Sequence, residues 1–180
     1  ERSLDRFLKD VYELDEPKNS KRKKFYMQEY VQYRIGKQYD RGWGTEQDHV
    51  EAAEWFRESD TGYARYALGN LYFEGKGVEQ DYAKAFGLFQ SVEDNPFANL
   101  KCAEMYENGY GIAPSTEKAE KHEKRAYELF RQAEDRQPDD LMEYRIGQML
   151  YMGKGVEQNT EEAIQWLEKS AKKQNMDAEY

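Results

Sequence analysis

The sequence predicts an all-α fold, a solenoid of tandem helix pairs, and three observations carry that prediction. The hexapeptide Gly75-Lys-Gly-Val-Glu-Gln80 is spelled again as Gly153-Lys-Gly-Val-Glu-Gln158. Gly-x-Gly pairs recur at Gly42/Gly44, Gly75/Gly77, Gly109/Gly111 and Gly153/Gly155, in steps of 33, 34 and 44 residues. Around each pair the apolar residues keep helical spacing, the mark of a repeat array.

The first helix of each unit, helix A, precedes the glycine pair. Six positions before the pair stands a small residue: Gly36, Gly69, Ala103 or Gly147. Ile35, Leu68, Cys102 and Ile146 come just ahead of it, and Tyr39, Tyr72, Tyr106 and Leu150 three residues after it. Those positions share one helical face. A glycine inside a helix costs about 1 kcal/mol relative to Ala. Its recurrence predicts that helix A presses closely on the alanine of its partner helix.

The glycine pair then stops helix A, because glycine accepts the left-handed geometry that ends helices. Four residues past the second glycine comes Asp48, Asp81, Ser115 or Asn159. All are preferred N-caps, each worth about 1 kcal/mol over Ala. Glu51 and Glu162 follow at capping-box spacing. Helix B continues through Ala52, Ala85, Ala119 and Ala163, with Trp55-Phe56, Leu88-Phe89 and Trp166-Leu167 on the same side. In the third unit His122-Glu123 occupy the apolar places, and the pattern resumes seven residues later as Ala126, Leu129 and Phe130. Seven residues are two helical turns, so an extended helix over about 116–134 is expected.

The hexapeptide is therefore read as a turn. A phosphate-binding P-loop needs four residues between Gly and Gly-Lys, then Ser or Thr, after a buried strand. Here the lysine lies between the glycines, with helical periodicity on both sides.

The chain is highly polar, with a mean hydropathy of -1.13, yet its 15 tyrosines exclude a disordered acidic tail. No stretch approaches the roughly 20 apolar residues of a membrane span, and no secretory leader is visible. The lone Cys102 excludes an internal disulfide framework and suits a reducing compartment, so a cytoplasmic setting is expected. A net charge of -9 argues against a general binder of phosphate backbones. Residues 1–40 nevertheless carry +2 against -11 for the rest. Their densest basic run, Lys21-Arg-Lys-Lys24, is either solvated or a contact for an acidic partner or nucleic acid.

These residues closely resemble the Sel1-like repeat family, an offshoot of the tetratricopeptide-like αα solenoids. Its pattern, A-x-x-x-L-G-x-x-Y-x-x-G-x-G-V followed by a helix cap and x-x-K-A-x-x-W, is matched by Ala64-Arg-Tyr-Ala-Leu-Gly-Asn-Leu-Tyr-Phe-Glu-Gly-Lys-Gly-Val78 and Asp81-Tyr-Ala-Lys-Ala85. Leu88 stands where the pattern has Trp, Ala103 where it has Gly, and Leu150 where it has Tyr. The resemblance covers about 28–180 and implies a right-handed αα superhelix of four repeats, near 28–60, 61–94, 95–138 and 139–174. Residues 21–180 are read as the array, with the opening of a fifth repeat at 175–180, where Ala178 and Tyr180 match Ala64 and Tyr66. Residues 1–20 supply an extra N-terminal amphipathic helix (Leu4, Phe7, Leu8, Val11, Tyr12) and a linker. That helix either covers the array's open end or closes an upstream domain. The ends read as cut from a longer protein.

A narrower resemblance joins Tyr-Arg-Ile-Gly, Gly-Lys-Gly-Val-Glu-Gln and Lys169-Ser-Ala-Lys-Lys to repeats appended to bacterial proteins, conjugative relaxases among them. Such nucleases use clustered metal-binding histidines and a catalytic tyrosine, and this segment has no His-x-His cluster. Any such enzymatic part would lie outside these residues.

No catalytic or metal site is expected. His49 opens one helix B and His122 falls on the polar side of another, neither with a ligand at obvious spacing. Cys102 takes a buried apolar place in helix A. Acidic residues are so abundant that the sequence singles out no pair.

In αα solenoids of this kind, helix A lines the inner surface. Relative to its small residue, positions -6, -3, +1 and +4 should be exposed there. They are Tyr30, Tyr33, Lys37 and Asp40 in the first unit, and Tyr63, Tyr66, Asn70 and Phe73 in the second. The third gives Phe97, Leu100, Glu104 and Glu107, and the fourth Leu141, Tyr144, Gln148 and Tyr151. Tyrosine offers contact area at low entropic cost, and an amide can bond an extended backbone. Tyr33, Lys37, Tyr66, Asn70, Phe73, Tyr144, Gln148 and Tyr151 are the expected partner-binding residues, though the -3 tyrosines could instead pack between repeats. The expected function is a non-catalytic scaffold that binds a protein or peptide without cofactor, metal or membrane. The alternative is an accessory segment of a DNA-mobilisation protein that recruits transfer machinery or contacts DNA through Lys21–Lys24.

Overall fold

The computed structural model describes the backbone of residues 21–177 and the side chains of residues 28–173. The N-terminal amphipathic segment, its linker, Ala178 and Tyr180 lie outside the described residues, as do the side chains of Lys21–Lys24. The fold is all-α. Its helices are α1 (Lys21–Arg41), α2 (His49–Glu58), α3 (Gly62–Glu74), α4 (Tyr82–Gln90), α5 (Pro96–Asn108), α6 (Thr116–Arg136), α7 (Asp140–Met152) and α8 (Thr160–Asp177).

The chain divides into two compact units, Glu1–Val92 and Glu93–Tyr180. In the first, α1 packs on α2, α3 on α4, and α2 on α3. Its core gathers Ala52, Ala53 and Phe56 of α2 with Ala64, Ala67, Leu68 and Leu71 of α3. In the second, α5 packs on α6, α7 on α8, and α6 on α7. There Ala126 and Phe130 meet Ile146, Met149, Leu150 and Ala163. Each unit is thus two helix pairs, with the helix B of one pair buried against the next.

The hinges work as the glycines require. All eight Gly-x-Gly glycines hold φ between +66 and +76°. Both Gly75 N–H and Lys76 N–H donate to Leu71 O, and the same arrangement ends α5 at Met105 and α7 at Met149. The glutamine that closes the hexapeptide also has a structural role. Gln80 Nε2 donates to Phe73 O (2.9 Å) and Gln158 Nε2 to Tyr151 O (2.7 Å), each satisfying a carbonyl that the last helical turn leaves open. Val78 and Val156 pack against their cores.

The expected N-caps are in place. Asp48 and Asp81 bond helix-start N–H groups at 2.9 Å, Asn159 at 3.1 Å and Ser115 at 3.3 Å. The capping boxes expected of Glu51 and Glu162 do not form. A box needs the cap's own backbone N–H, and that donor is already taken: Asp48 N–H bonds Tyr39 O at 2.9 Å and Asn159 N–H bonds Leu150 O at 3.0 Å. Asp81 with Tyr72 and Ser115 with Tyr106 repeat the bond. This cross-hinge bond makes helix B start beside the end of helix A.

The helical glycines make room for more than the expected alanine: at Gly147 a Cβ would indeed lie 3.1 Å from Ala163 O, but at all three the nearest obstacle is a different residue. They face a large side chain of helix B, four residues beyond the alanine. A Cβ at Gly36 would lie 2.6 Å from Phe56, one at Gly69 2.6 Å from Phe89, and one at Gly147 2.8 Å from Leu167. The third repeat has Ala103 at the glycine position and Glu123 four residues beyond its helix-B alanine. Its α6 runs two residues past the expected end, and its extra turns move the contacts by seven positions. A Cβ on Gly77 would fall on the His49 carbonyl, whereas one on Gly155 would fall on that of Glu123.

Candidate functional site

Within the first unit, α1 and α3 present the expected tyrosines. Tyr30 is 43% and Tyr63 61% exposed, and both rings are held by Tyr33, at 6.2 and 5.6 Å between centroids. Tyr33 itself is half-buried and leans on Phe56 of helix B (6.1 Å). Its hydroxyl is harder to ionise than usual, first because of burial and then because of neighbouring Tyr30. This -3 tyrosine therefore packs between repeats. Tyr66 leans on Phe89 of its own repeat's helix B (5.8 Å). Phe73 meets the edge of Tyr82 (5.2 Å), Asn70 is half-exposed, and Lys37 is tied to Asp40 at 2.9 Å.

Within the second unit, the face is carried by α7. Leu141, Tyr144 and Tyr151 are 44, 41 and 57% exposed. Arg145 donates to Gln148 Oε1 (3.0 Å) and Gln148 Nε2 to the Tyr144 hydroxyl (2.7 Å), which fixes the amide's orientation. Arg145 also lies over the Phe97 and Tyr144 rings. The α5 positions depart from the expected exposure. Phe97 and Leu100 pack against the core, Phe97 edge-on to Phe130 at 5.1 Å, because the shifted α6 brings that ring under them.

His122 is not on a polar side. It stacks on Tyr106 (5.7 Å between centroids), and its Nδ1 donates to Asn99 Oδ1 at 3.0 Å. Buried Asn99 spends its amide hydrogens on Glu93 O and Asn95 O, which leaves its oxygen only as an acceptor. Burial first, then Lys121, makes this imidazole harder to protonate than usual. Cys102 is buried, and desolvation pushes its thiol up to about 12. Among the described residues no group of three or more His, Cys, Asp or Glu is placed to hold a metal, and no helix is long and apolar enough to cross a membrane.

Sequence reasoning missed the charged staples of the second unit. Glu143 on α7 is wholly buried, with Lys173 Nζ at 2.6 Å and Lys169 Nζ at 2.9 Å. Lys169 also meets buried Glu134 of α6 at 2.6 Å. The hexapeptide lysine Lys154 reaches Glu107 (2.9 Å) and Glu123 (3.0 Å) of the preceding helix pair. In a chain with 36 acidic residues only burial separates these carboxylates from the rest.

Paired helices hinged on left-handed glycines and repeated in tandem define an αα-repeat protein. More narrowly, the chain belongs to the Sel1 repeat family, whose model matches residues 30–59, 62–91, 96–137 and 141–175. The family commonly mediates protein–protein interaction, and its repeat scaffolds are typically non-catalytic. Among solved structures, the chain is similar to a Sel1 repeat protein from Oxalobacter formigenes, with 26% identity, a TM-score of 0.57 and 81% of this chain covered. It is also similar to c5321, a protective antigen of uropathogenic Escherichia coli strains displaying an SLR fold, with 26% identity, a TM-score of 0.51 and 88% covered. The matches span 58 and 34% of those two chains. No curated protein matches.

Proposed function

We propose that this chain is a docking module in which each unit offers its own helix-A face, α1 with α3 in the first and α7 in the second, to a protein or peptide partner. The observation that carries the reading is the exposure of Tyr30, Tyr63, Tyr144 and Tyr151 on helix A, where burial would serve folding better. Tyr30 and Tyr63 are braced through Tyr33, and Tyr144 through Gln148, so little side-chain freedom is lost on binding. The partly buried amide of Asn70 supplies hydrogen bonding to an extended backbone, while that of Gln148 is engaged at both ends by Arg145 and Tyr144. Tyr66 and Phe73 form the flank of the same face, and Lys37 with Asp40 its charged edge.

Selection from a displayed peptide library tests this. Peptides selected on the intact chain should lose binding to a Tyr63→Ala, Asn70→Ala variant whose helical circular dichroism is unchanged. Selected peptides that bind the variant equally well would refute the placement.

A further inference from the structure

We infer that a second cleft, formed in the first unit by α2, α3, α4 and the 75–81 hinge, binds an acidic group on an apolar stem, a carboxylate or phosphate displayed by a peptide. Two joined hollows of ≈ 420 and ≈ 480 Å³ share Arg57, Tyr72 and Lys84. The first is polar and follows the hinge from Gly77 to Asp81. The second is floored by Leu68, Gly87 and Leu88, with Arg65 on its wall. Cations therefore stand beside an apolar slot, the arrangement an acid with an apolar body fits.

The two arginines are poorly used within the fold. Arg57 has no carboxylate partner among the described residues, only the Tyr72 hydroxyl at 3.4 Å. Arg65 has a loose pairing with exposed Asp60 at 3.5 Å, and its Nε is buried without an acceptor. Lys84 caps the Tyr72 ring at 5.3 Å and pairs with Asp81, an acid already engaged as the α4 cap. An incoming oxyanion would give the two guanidinium groups the charge-assisted hydrogen bonds that the fold supplies only loosely. Glu79 is the remaining acid on the rim.

Gly87, exposed on the lining of the second hollow, keeps it open. It lies inside α4 with no positive φ, and a Cβ there would meet nothing within 4 Å. Neither turn geometry nor close packing explains it, unlike Gly69 or Gly77. Glu54, Glu128 and Gln165 stand at the corresponding helix-B positions, so a long side chain is compatible with the fold there. At position 87 such a chain would fill the slot.

The test is an NMR titration of the isotope-labelled full chain with N-acetylphenylalanine, phenyl phosphate and the neutral N-acetylphenylalanine amide. The expected result is saturable shifts at Gly87, Leu88 and Tyr72 with one or both anions and none with the amide; which anion binds tells carboxylate from phosphate. Arg57→Gln with Arg65→Gln should weaken binding about tenfold or more. Gly87→Gln should abolish it while the melting temperature stays equal or rises. Equal binding of the amide, unchanged binding in the double arginine variant, or no saturable shift with either anion would overturn the proposal.

Discussion

Gly69 and Phe89 meet so closely that a Cβ on the glycine would lie 2.6 Å from Cε1 of the ring. That contact sets how near α3 can come to α4, and Gly36 with Phe56 sets the same distance between α1 and α2. Gly69→Ala gains about 1 kcal/mol of helix propensity but forces an overpacking cost of about 1–3 kcal/mol. It should lower stability in urea unfolding, whereas Gly87→Ala, with open space around it, should raise it by up to about 1 kcal/mol. Changes of the same sign at both sites would break this account of the helix pair.

The hinge glycines divide in the same manner. Gly42 and Gly77 both hold positive φ, but the nearest atoms to a Cβ at Gly42 are 3.4 Å away, while at Gly77 the His49 backbone blocks the space. Gly42→Ala should cost only the left-handed strain, about 1–2 kcal/mol. Gly77→Ala should cost distinctly more, because α2 must move. Denaturation midpoints of the two variants check the order.

Acid should loosen the second unit. Burial opposes ionisation of Glu134, but Lys169 and the Asp139 N–H outweigh it, so its carboxyl titrates below the ordinary 4.5. The folded value is lowered, so its stabilisation is complete above the ordinary carboxylate range and fades as pH falls through the folded value. Lys169 has the opposite sense. Its ammonium is held above 10.5 by Glu134 and Glu143, and its contribution fades only as pH rises through that raised value. Glu134→Gln should therefore melt below the parent at neutral pH and converge with it in acid. A constant gap between the two melting curves would remove the carboxylate from the explanation.

Cys102 should be inert in the folded chain. With its thiol pushed up to about 12 by burial, almost no thiolate exists at neutral pH. A chromogenic disulfide reagent should leave it untouched in buffer and titrate it promptly in concentrated guanidinium chloride. Rapid reaction of the native chain would mean that α5 opens.

What the sequence made legible follows from what is local. Left-handed glycines, N-caps and the seven-residue shift in the third repeat are properties of a few adjacent residues, so periodicity exposes them. The failures are matters of three-dimensional geometry that a periodic pattern does not carry. Phe56, rather than Ala52, meets Gly36 because the angle between helices, absent from a periodic pattern, chooses the partner. The capping box fails because Tyr39 O, nine residues away, claims the Asp48 N–H. For the docking face, spacing placed Tyr63 and Tyr151 on helix A. It could not separate Tyr33 and Phe97, which turn inward, from Tyr30 and Tyr144, which stay out.

Photo-cross-linking in living cells tests the central claim most directly, with a benzophenone amino acid replacing Tyr63, Tyr151 or, as a control, the exposed helix-B residue Ile164. The account predicts a discrete protein adduct from positions 63 and 151 and none from 164. Adducts from 164 alone would place the partner on the other helix and contradict it.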